Sequence, residues 1–129
     1  MTLVDTSAWI EVFRKRQPLD LAAHVPFDDV VTCLPVVQEV LQGFREEEAY
    51  RIAREAMLAL PMVESPLRVD LVEDAVRLFR TARRRGLTVR SSVDCLIAAC
   101  ALRHDLEVLH RDGDFPKIAR VSGLRERAL

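Results

Sequence analysis

Very short apolar runs give way repeatedly to segments of helical spacing along this chain, and that alternation restricts its architecture more than any single motif. Met1 to Val4 ends at Asp5; Thr6 and Ser7 suit a helix N-cap, and Ala8-Trp9-Ile10-Glu11-Val12-Phe13 continues with helical spacing. Asp29 to Thr32 is a second strand candidate. Pro35 then suits the first turn of a helix in which Val36, Val37, Val40, Leu41 and Phe44 recur at helical spacing, with Gly43 near its end. Glu46 to Leu60 carries three acids in its first turn, where the helix dipole favours them, and is expected to bury Ala49, Ile52, Ala53, Ala56, Met57 and Leu60.

Pro61-Met62-Val63 allows a brief strand. Pro66 opens a longer helix whose expected buried stripe is Leu71, Val72, Ala75, Val76, Phe79 and Ala82, with its arginines opposite and Gly86 as its stop. Ser91 and Ser92 suit the cap of the next helix, which is apolar nearly all round from Val93 to Leu102 except for Asp94, so it must be buried. Leu106 to Leu109 is a further strand, and Arg111-Asp112-Gly113-Asp114 is turn chemistry leading into a short helix through Phe115, Ile118 and Ala119. Short apolar strands alternating with helices predict an α/β fold with a mainly parallel sheet covered on both faces.

A chain of 129 residues, half of them hydrophobic, can bury one core, so residues 1–129 are read as a single domain. The apolar run from Cys95 to Leu102 is far below the roughly 20 residues of a membrane span, and no leader precedes the first strand, which predicts a soluble, cytoplasmic protein without a membrane partner. Cys33, Cys95 and Cys100 are odd in number and lie in apolar stretches, as reduced buried thiols do. The net charge of −1 does not announce a nucleic-acid binder, but Arg77, Arg80, Arg83, Arg84 and Arg85 crowd one segment.

Ligands of parallel α/β sheets collect at the carboxyl ends of strands. Asp5 follows the first strand, Asp112 and Asp114 follow the Leu106 to Leu109 strand, Asp94 lies in the first turn of the buried helix, and Glu39 lies within two turns of a helix start. Gathered at one edge, such acids raise each other's pKa, and a divalent cation relieves the conflict. Oxygen ligands select a hard ion such as Mg²⁺ or Mn²⁺. Zinc is disfavoured, since His24, His104 and His110 form no short-spaced pair and no Cys-x-x-Cys exists. Each acid also has a structural reading: Asp5 as a helix cap, Asp94 as the acid of a Ser91 capping box, Asp112 or Asp114 as turn formers, Glu39 as a solvated side chain. The phosphate cradles of dinucleotide and P-loop proteins are absent, as is a nucleophile elbow around Ser7.

The segments Leu3-Val4-Asp5-Thr6-Ser7-Ala8, Pro35 to Gly43 around Glu39, Ser92-Val93-Asp94-Cys95-Leu96-Ile97-Ala98-Ala99 and Arg111-Asp112-Gly113-Asp114-Phe115, in this order, resemble the PIN domain, in particular the VapC toxins. That resemblance implies a three-layer α/β/α domain in which Asp5, Glu39, Asp94 and Asp112 form an acidic Mg²⁺ site, with Mn²⁺ able to substitute. Asp114 would be an additional ligand or a support, and either Asp112 or Asp114 the direct one. Thr6 or Ser7 would support the site by hydrogen bonding. The resemblance further implies hydrolysis of RNA phosphodiester bonds by metal-activated water, leaving a 5′ phosphate, with Arg90 or the Arg80 to Arg84 segment as RNA contacts. It also implies a homodimer and a cognate antitoxin protein. Rival readings are a non-cleaving module of the same fold that binds RNA or protein, and a metal-dependent nuclease or phosphatase outside toxin–antitoxin systems.

Overall fold

The computed structural model describes all residues 1–129. In chain order, β1 (Thr2–Val4) leads into α1 (Thr6–Val12); two short 3-10 turns, Leu21–Ala23 and Phe27–Asp29, precede β2 (Val30–Cys33). Then follow α2 (Leu34–Gln42), α3 (Glu47–Leu58), β3 (Met62–Val63), α4 (Val69–Arg84), α5 (Ser92–Arg103), β4 (Glu107–His110), α6 (Asp114–Ala119) and β5 (Arg125–Ala128).

The five strands form one sheet in the order β3-β2-β1-β4-β5, and every pairing is parallel. Parallel crossovers are right-handed. Steps from β1 to β2 to β3 run one way across the sheet and put α1, α2 and α3 on one face; the return through β4 to β5 puts α4, α5 and α6 on the other. Most helix contacts divide the same way, α1 against α2 and α2 against α3, α4 against α5 and both against α6, while α2 also touches α5 of the other layer. The result is a three-layer α/β/α domain. The direction of winding reverses between β1 and β4, so their carboxyl ends border a crevice. Val4 pairs with Leu109 and the Asp5 amide donates to the Leu109 carbonyl at 2.9 Å, which brings the two strand ends into register.

Burial explains why α5 is apolar on almost every side: Asp94, Cys95 and Ile97 through Ala101 are all buried between the sheet and α4. On α4 the predicted stripe is displaced. Leu71, Ala75 and Ala82 are buried, Leu78 and Phe79 half-buried, but Val72 and Val76 are exposed, because α4 has only α5 and α6 to pack against and covers no strand. That helix also begins at Val69 rather than Pro66. On α3 the buried set narrows to Ala53 and Met57, with Leu60 just beyond the helix; Ile52 and Ala56 face outward, as the helix packs along α2 alone. Trp9 is core, and Phe13 stacks on it while meeting Phe44 edge-on. The three cysteines are buried and free, as expected.

The charged Arg125-Glu126-Arg127-Ala128 segment carries no apolar alternation, yet it forms the edge strand β5. Its backbone pairs with β4, and its side chains find polar partners there: Arg127 meets Glu107 at 2.9 Å, and Glu126 meets His110 at 2.5 Å. No helix is long and apolar enough to cross a membrane.

Candidate active site

Local chain geometry places Asp5 at the end of β1 and Asp112 and Asp114 just past the end of β4, the two strands that meet at the crevice. Asp5 leaves β1 with extended backbone and caps α1: its Oδ2 accepts the Ser7 amide at 2.9 Å and the Ser7 hydroxyl at 2.6 Å. The Ser7 Oγ in turn accepts the Arg111 amide at 2.9 Å, so one hydroxyl ties the end of β1 to the end of β4. The capping reading of Asp5 is therefore true of one oxygen. The other, Oδ1, is buried without a hydrogen-bond partner. Glu39 sits half-buried on α2, and its Oε1 accepts the Thr6 hydroxyl at 2.9 Å, which holds it against the start of α1 rather than in bulk solvent.

The structure brings Asp94, Asp112 and Asp114 together with one oxygen of each within 4.8 Å of the others. Asp94 is buried in the first turn of α5, and its Oδ2 has no hydrogen-bond partner. The capping box expected from Ser91 does not form, because Ser91 makes no side-chain cap bond. Instead the amides of Arg90 and Ser91, at the entrance of α5, both donate to Asp114 Oδ2, at 2.9 and 3.0 Å. Asp114 is thus buried and spends one carboxylate oxygen on fixing the helix that carries Asp94. Asp112 is half-buried; its Oδ1 accepts the Asp114 amide at 2.9 Å. Sequence reasoning passed over His110, whose Nδ1 accepts the Asp112 amide at 3.1 Å. Its place at the end of a strand, two residues before an acidic turn, was the available signal.

The electrostatics follow from this crowding. Burial pushes the Asp94 carboxyl up to about 9, helped by the charges of Asp5 and Asp112 and by proton sharing with Asp114 and Asp112. Asp5 is also raised, first by burial, against hydrogen bonds from Ser7 that favour its charged form; the charge of Glu39 adds to the rise. The Cys95 thiol, beside Asp94, is pushed up to about 11 by burial and by the Asp94 and Asp114 charges. The unpartnered Asp94 Oδ2 lies in the group formed by Asp94, Asp112 and Asp114, which does not include Asp5 or Glu39. Asp5, with its own unpartnered Oδ1, is close enough for its charge to raise the Asp94 carboxyl, and buried oxygens of this kind fit a divalent cation. Near the acids, Lys117 Nζ lies 4.0 Å from Asp114 Oδ1 and donates to the Thr88 carbonyl, while Arg111 pairs with Glu11 at 3.1 Å. The exposed face of α4 carries Arg77, Arg80, Arg83 and Arg84.

Residues 2–121 match the family model described as PIN domain. The chain is 36% identical over 135 residues, covering 97% of this chain and 96% of the relative, to a VapC ribonuclease of Mycobacterium bovis and, equally, to the ribonuclease VapC11 of Mycobacterium tuberculosis. Among solved structures, the VapBC complex of Salmonella typhimurium bound to DNA superposes with a TM-score of 0.77 at 16% identity, over 99% of this chain and 98% of that one. VapBC-5 of Mycobacterium tuberculosis, a toxin–antitoxin system, superposes with a TM-score of 0.73 at 23% identity, over 99% and 98%. VapC20 of the same organism, titled a toxin that cleaves the sarcin-ricin loop, superposes at 0.71 with 23% identity, over 97% and 99%. At these identities the solved structures speak for the fold.

Proposed function

The chain belongs to the PIN-domain family, and from that premise we propose that it is a VapC-type toxin, an endoribonuclease that cuts RNA phosphodiester bonds with Mg²⁺ held by Asp5, Glu39, Asp94 and Asp112. The observation that supports this reading is the two buried, unpartnered oxygens, Asp5 Oδ1 and Asp94 Oδ2, beside Asp112 and Asp114, whose carboxylates already accept backbone amides, and Glu39, which accepts the Thr6 hydroxyl. Removing a polar atom from water without a partner costs on the order of 1–3 kcal/mol, so a chain that retains two of them at one place has a use for them. Mn²⁺ is expected to substitute, since both ions take oxygen ligands.

Each residue then has a task. Asp94 and Asp5 offer their free oxygens to the cation. Asp112 offers the oxygen not used by the Asp114 amide, and Glu39 the oxygen not used by Thr6. Asp114 acts as a support, since the Arg90 and Ser91 amides engage its Oδ2 and its Oδ1 faces Lys117. When bound, the cation supplies activation of water and neutralisation of charge on the phosphate being cut. Asp94 would hold the cation as a carboxylate in a buried setting, where attraction between opposite charges is stronger than in water. RNA approaching the acids needs protein cations to counter phosphate repulsion, and the exposed Arg90, whose backbone amide binds Asp114, and the exposed arginines of α4 are candidates for that contact.

A toxin of this kind has a cognate antitoxin, as the VapBC complexes have, and is expected to pair with a second copy of itself. Val72 and Val76 on α4 are large, apolar and exposed, and with Val93 and Leu96 of α5 they line a groove suited to such a contact.

The test is incubation of the purified protein with bacterial RNA in Mg²⁺ or Mn²⁺, beside a chelated sample and the Asp94→Asn variant, with sequencing of new 5′ phosphate ends. Discrete ends present only in the metal-supplied wild type are expected. Cleavage that persists in the chelator or in the variant refutes the assignment.

A further inference from the structure

A chain of hydrogen bonds runs from the acidic cluster to the C-terminal edge strand, and all its donors point the same way. The amides of Arg90 and Ser91 donate to Asp114 Oδ2; the Asp114 amide donates to Asp112 Oδ1; the Asp112 amide donates to His110 Nδ1; and His110 Nε2 meets Glu126 Oε2 at 2.5 Å. Because Nδ1 accepts the Asp112 amide, it carries no proton, and the imidazole hydrogen is on Nε2, where Glu126 accepts it. The His110 ring is buried and tilted on Phe115 with centroids 5.0 Å apart, and its two nitrogens are placed by the Asp112 amide and by Glu126. In the register of β4 and β5, Glu126 stands opposite Val108, on the same face as His110 two residues along.

We propose that Glu126 is a positioning residue for the acidic site: by accepting from His110 Nε2 it selects the tautomer whose Nδ1 anchors the Asp112 amide, and so sets the turn that carries Asp112 and Asp114. Glu126 lies beyond residues 2–121, which match the family model, and touches none of the acids itself. Without its carboxylate the ring is free to put its hydrogen on Nδ1. That hydrogen would face the Asp112 amide donor, and the two would repel and displace the turn. The inference rests on the proposed cation site only for its consequence; the tautomer and the amide bond are properties of the metal-free protein.

Glu126→Leu removes the acceptor, and Glu126→Gln keeps one in its side-chain carbonyl. Long-range ¹H–¹⁵N spectra of the metal-free protein report which His110 nitrogen carries the hydrogen, and the Asp112 amide proton shift reports its bond. Mn²⁺ titration followed by electron paramagnetic resonance reports affinity. Loss of a partner that orients a metal ligand typically weakens binding roughly 10–100-fold, and that loss is expected for Glu126→Leu, together with an altered tautomer and a shifted Asp112 amide, while Glu126→Gln retains wild-type behaviour on all three. A Leu variant with unchanged tautomer and Asp112 amide overturns the proposal. So does one in which both change while Mn²⁺ affinity stays at the wild-type value. If the wild type binds no Mn²⁺, the cation site itself fails, and the two spectroscopic readouts still decide for or against the tautomer relay. Should Glu126→Leu not fold, His110→Asn and His110→Gln substitute for it: Asn places a carbonyl where Nδ1 was and is expected to keep the Asp112 amide bond and Mn²⁺ affinity, whereas Gln reaches only toward the Nε2 position and loses both. Equal behaviour of the two variants overturns the proposal.

Discussion

Replacing Asp94 by asparagine is expected to stabilise the metal-free protein at alkaline pH while abolishing its response to Mg²⁺. Burial and the neighbouring acids hold the Asp94 carboxyl near 9, against an ordinary value of 3.8. The native state therefore keeps a proton that the unfolded chain releases near pH 4. Stability contributed by that proton is complete below about pH 4 and is lost as pH rises through about 9. Between pH 5 and pH 8 the loss is about 1.4 kcal/mol per pH unit, about 4 kcal/mol in all. Asparagine is neutral, as the protonated acid is, and it does not titrate. Urea unfolding in chelator at pH 5, 6, 7 and 8, for wild type and variant, isolates this group, because the other titrating residues contribute alike to both and cancel in the difference. The difference curve should favour the variant progressively as pH rises. Mg²⁺ at a hundred times its dissociation constant should then return about 2.7 kcal/mol to the wild type and far less to the variant. A difference curve that is flat from pH 5 to pH 8 would show that Asp94 is ionised in the native protein and would refute the reasoning.

The same proton makes cation binding pH-dependent: Mg²⁺ must displace it, so the dissociation constant measured by calorimetry should fall about tenfold per unit from pH 6 to pH 8. Asp114→Ala strips the acceptor from the Arg90 and Ser91 amides at the entrance of α5 and should cost about 2–4 kcal/mol in urea unfolding. Glu39→Gln keeps an acceptor for the Thr6 hydroxyl, so stability should shift by less than about 0.5 kcal/mol, while RNA cleavage falls by at least about tenfold. Phe115→Ala empties a fully buried position beneath the His110 ring and should cost about 3–5 kcal/mol on the same assay.

The sequence by itself determined the strand and helix succession, and with it the parallel sheet, because short apolar runs ended by capping residues leave few alternatives. It also marked the acids proposed for the site, of which the fold brings Asp94, Asp112 and Asp114 together. An aspartate at the end of β1, another in the first turn of an otherwise apolar α5, and two after β4 are legible because a charge in an apolar or strand-end setting stands out from its surroundings. The helical wheel misread Val72, Val76 and Ile52, since periodicity reports which residues share a face and not whether a neighbour covers that face.

Other features were decided only by the tertiary structure. β5 is held by backbone pairing to β4 and by cross-strand charges, neither of which leaves an apolar pattern. Whether Asp5 caps a helix or faces the site had two answers at once, one for each oxygen, because the second oxygen's surroundings come from distant elements. Asp112 and Asp114 differ in their partners on the same ground: the amides of Arg90 and Ser91, 24 and 23 residues away, engage Asp114. A residue's type and spacing say what chemistry it offers; which of its atoms remains free depends on partners that only the folded chain brings within hydrogen-bond distance.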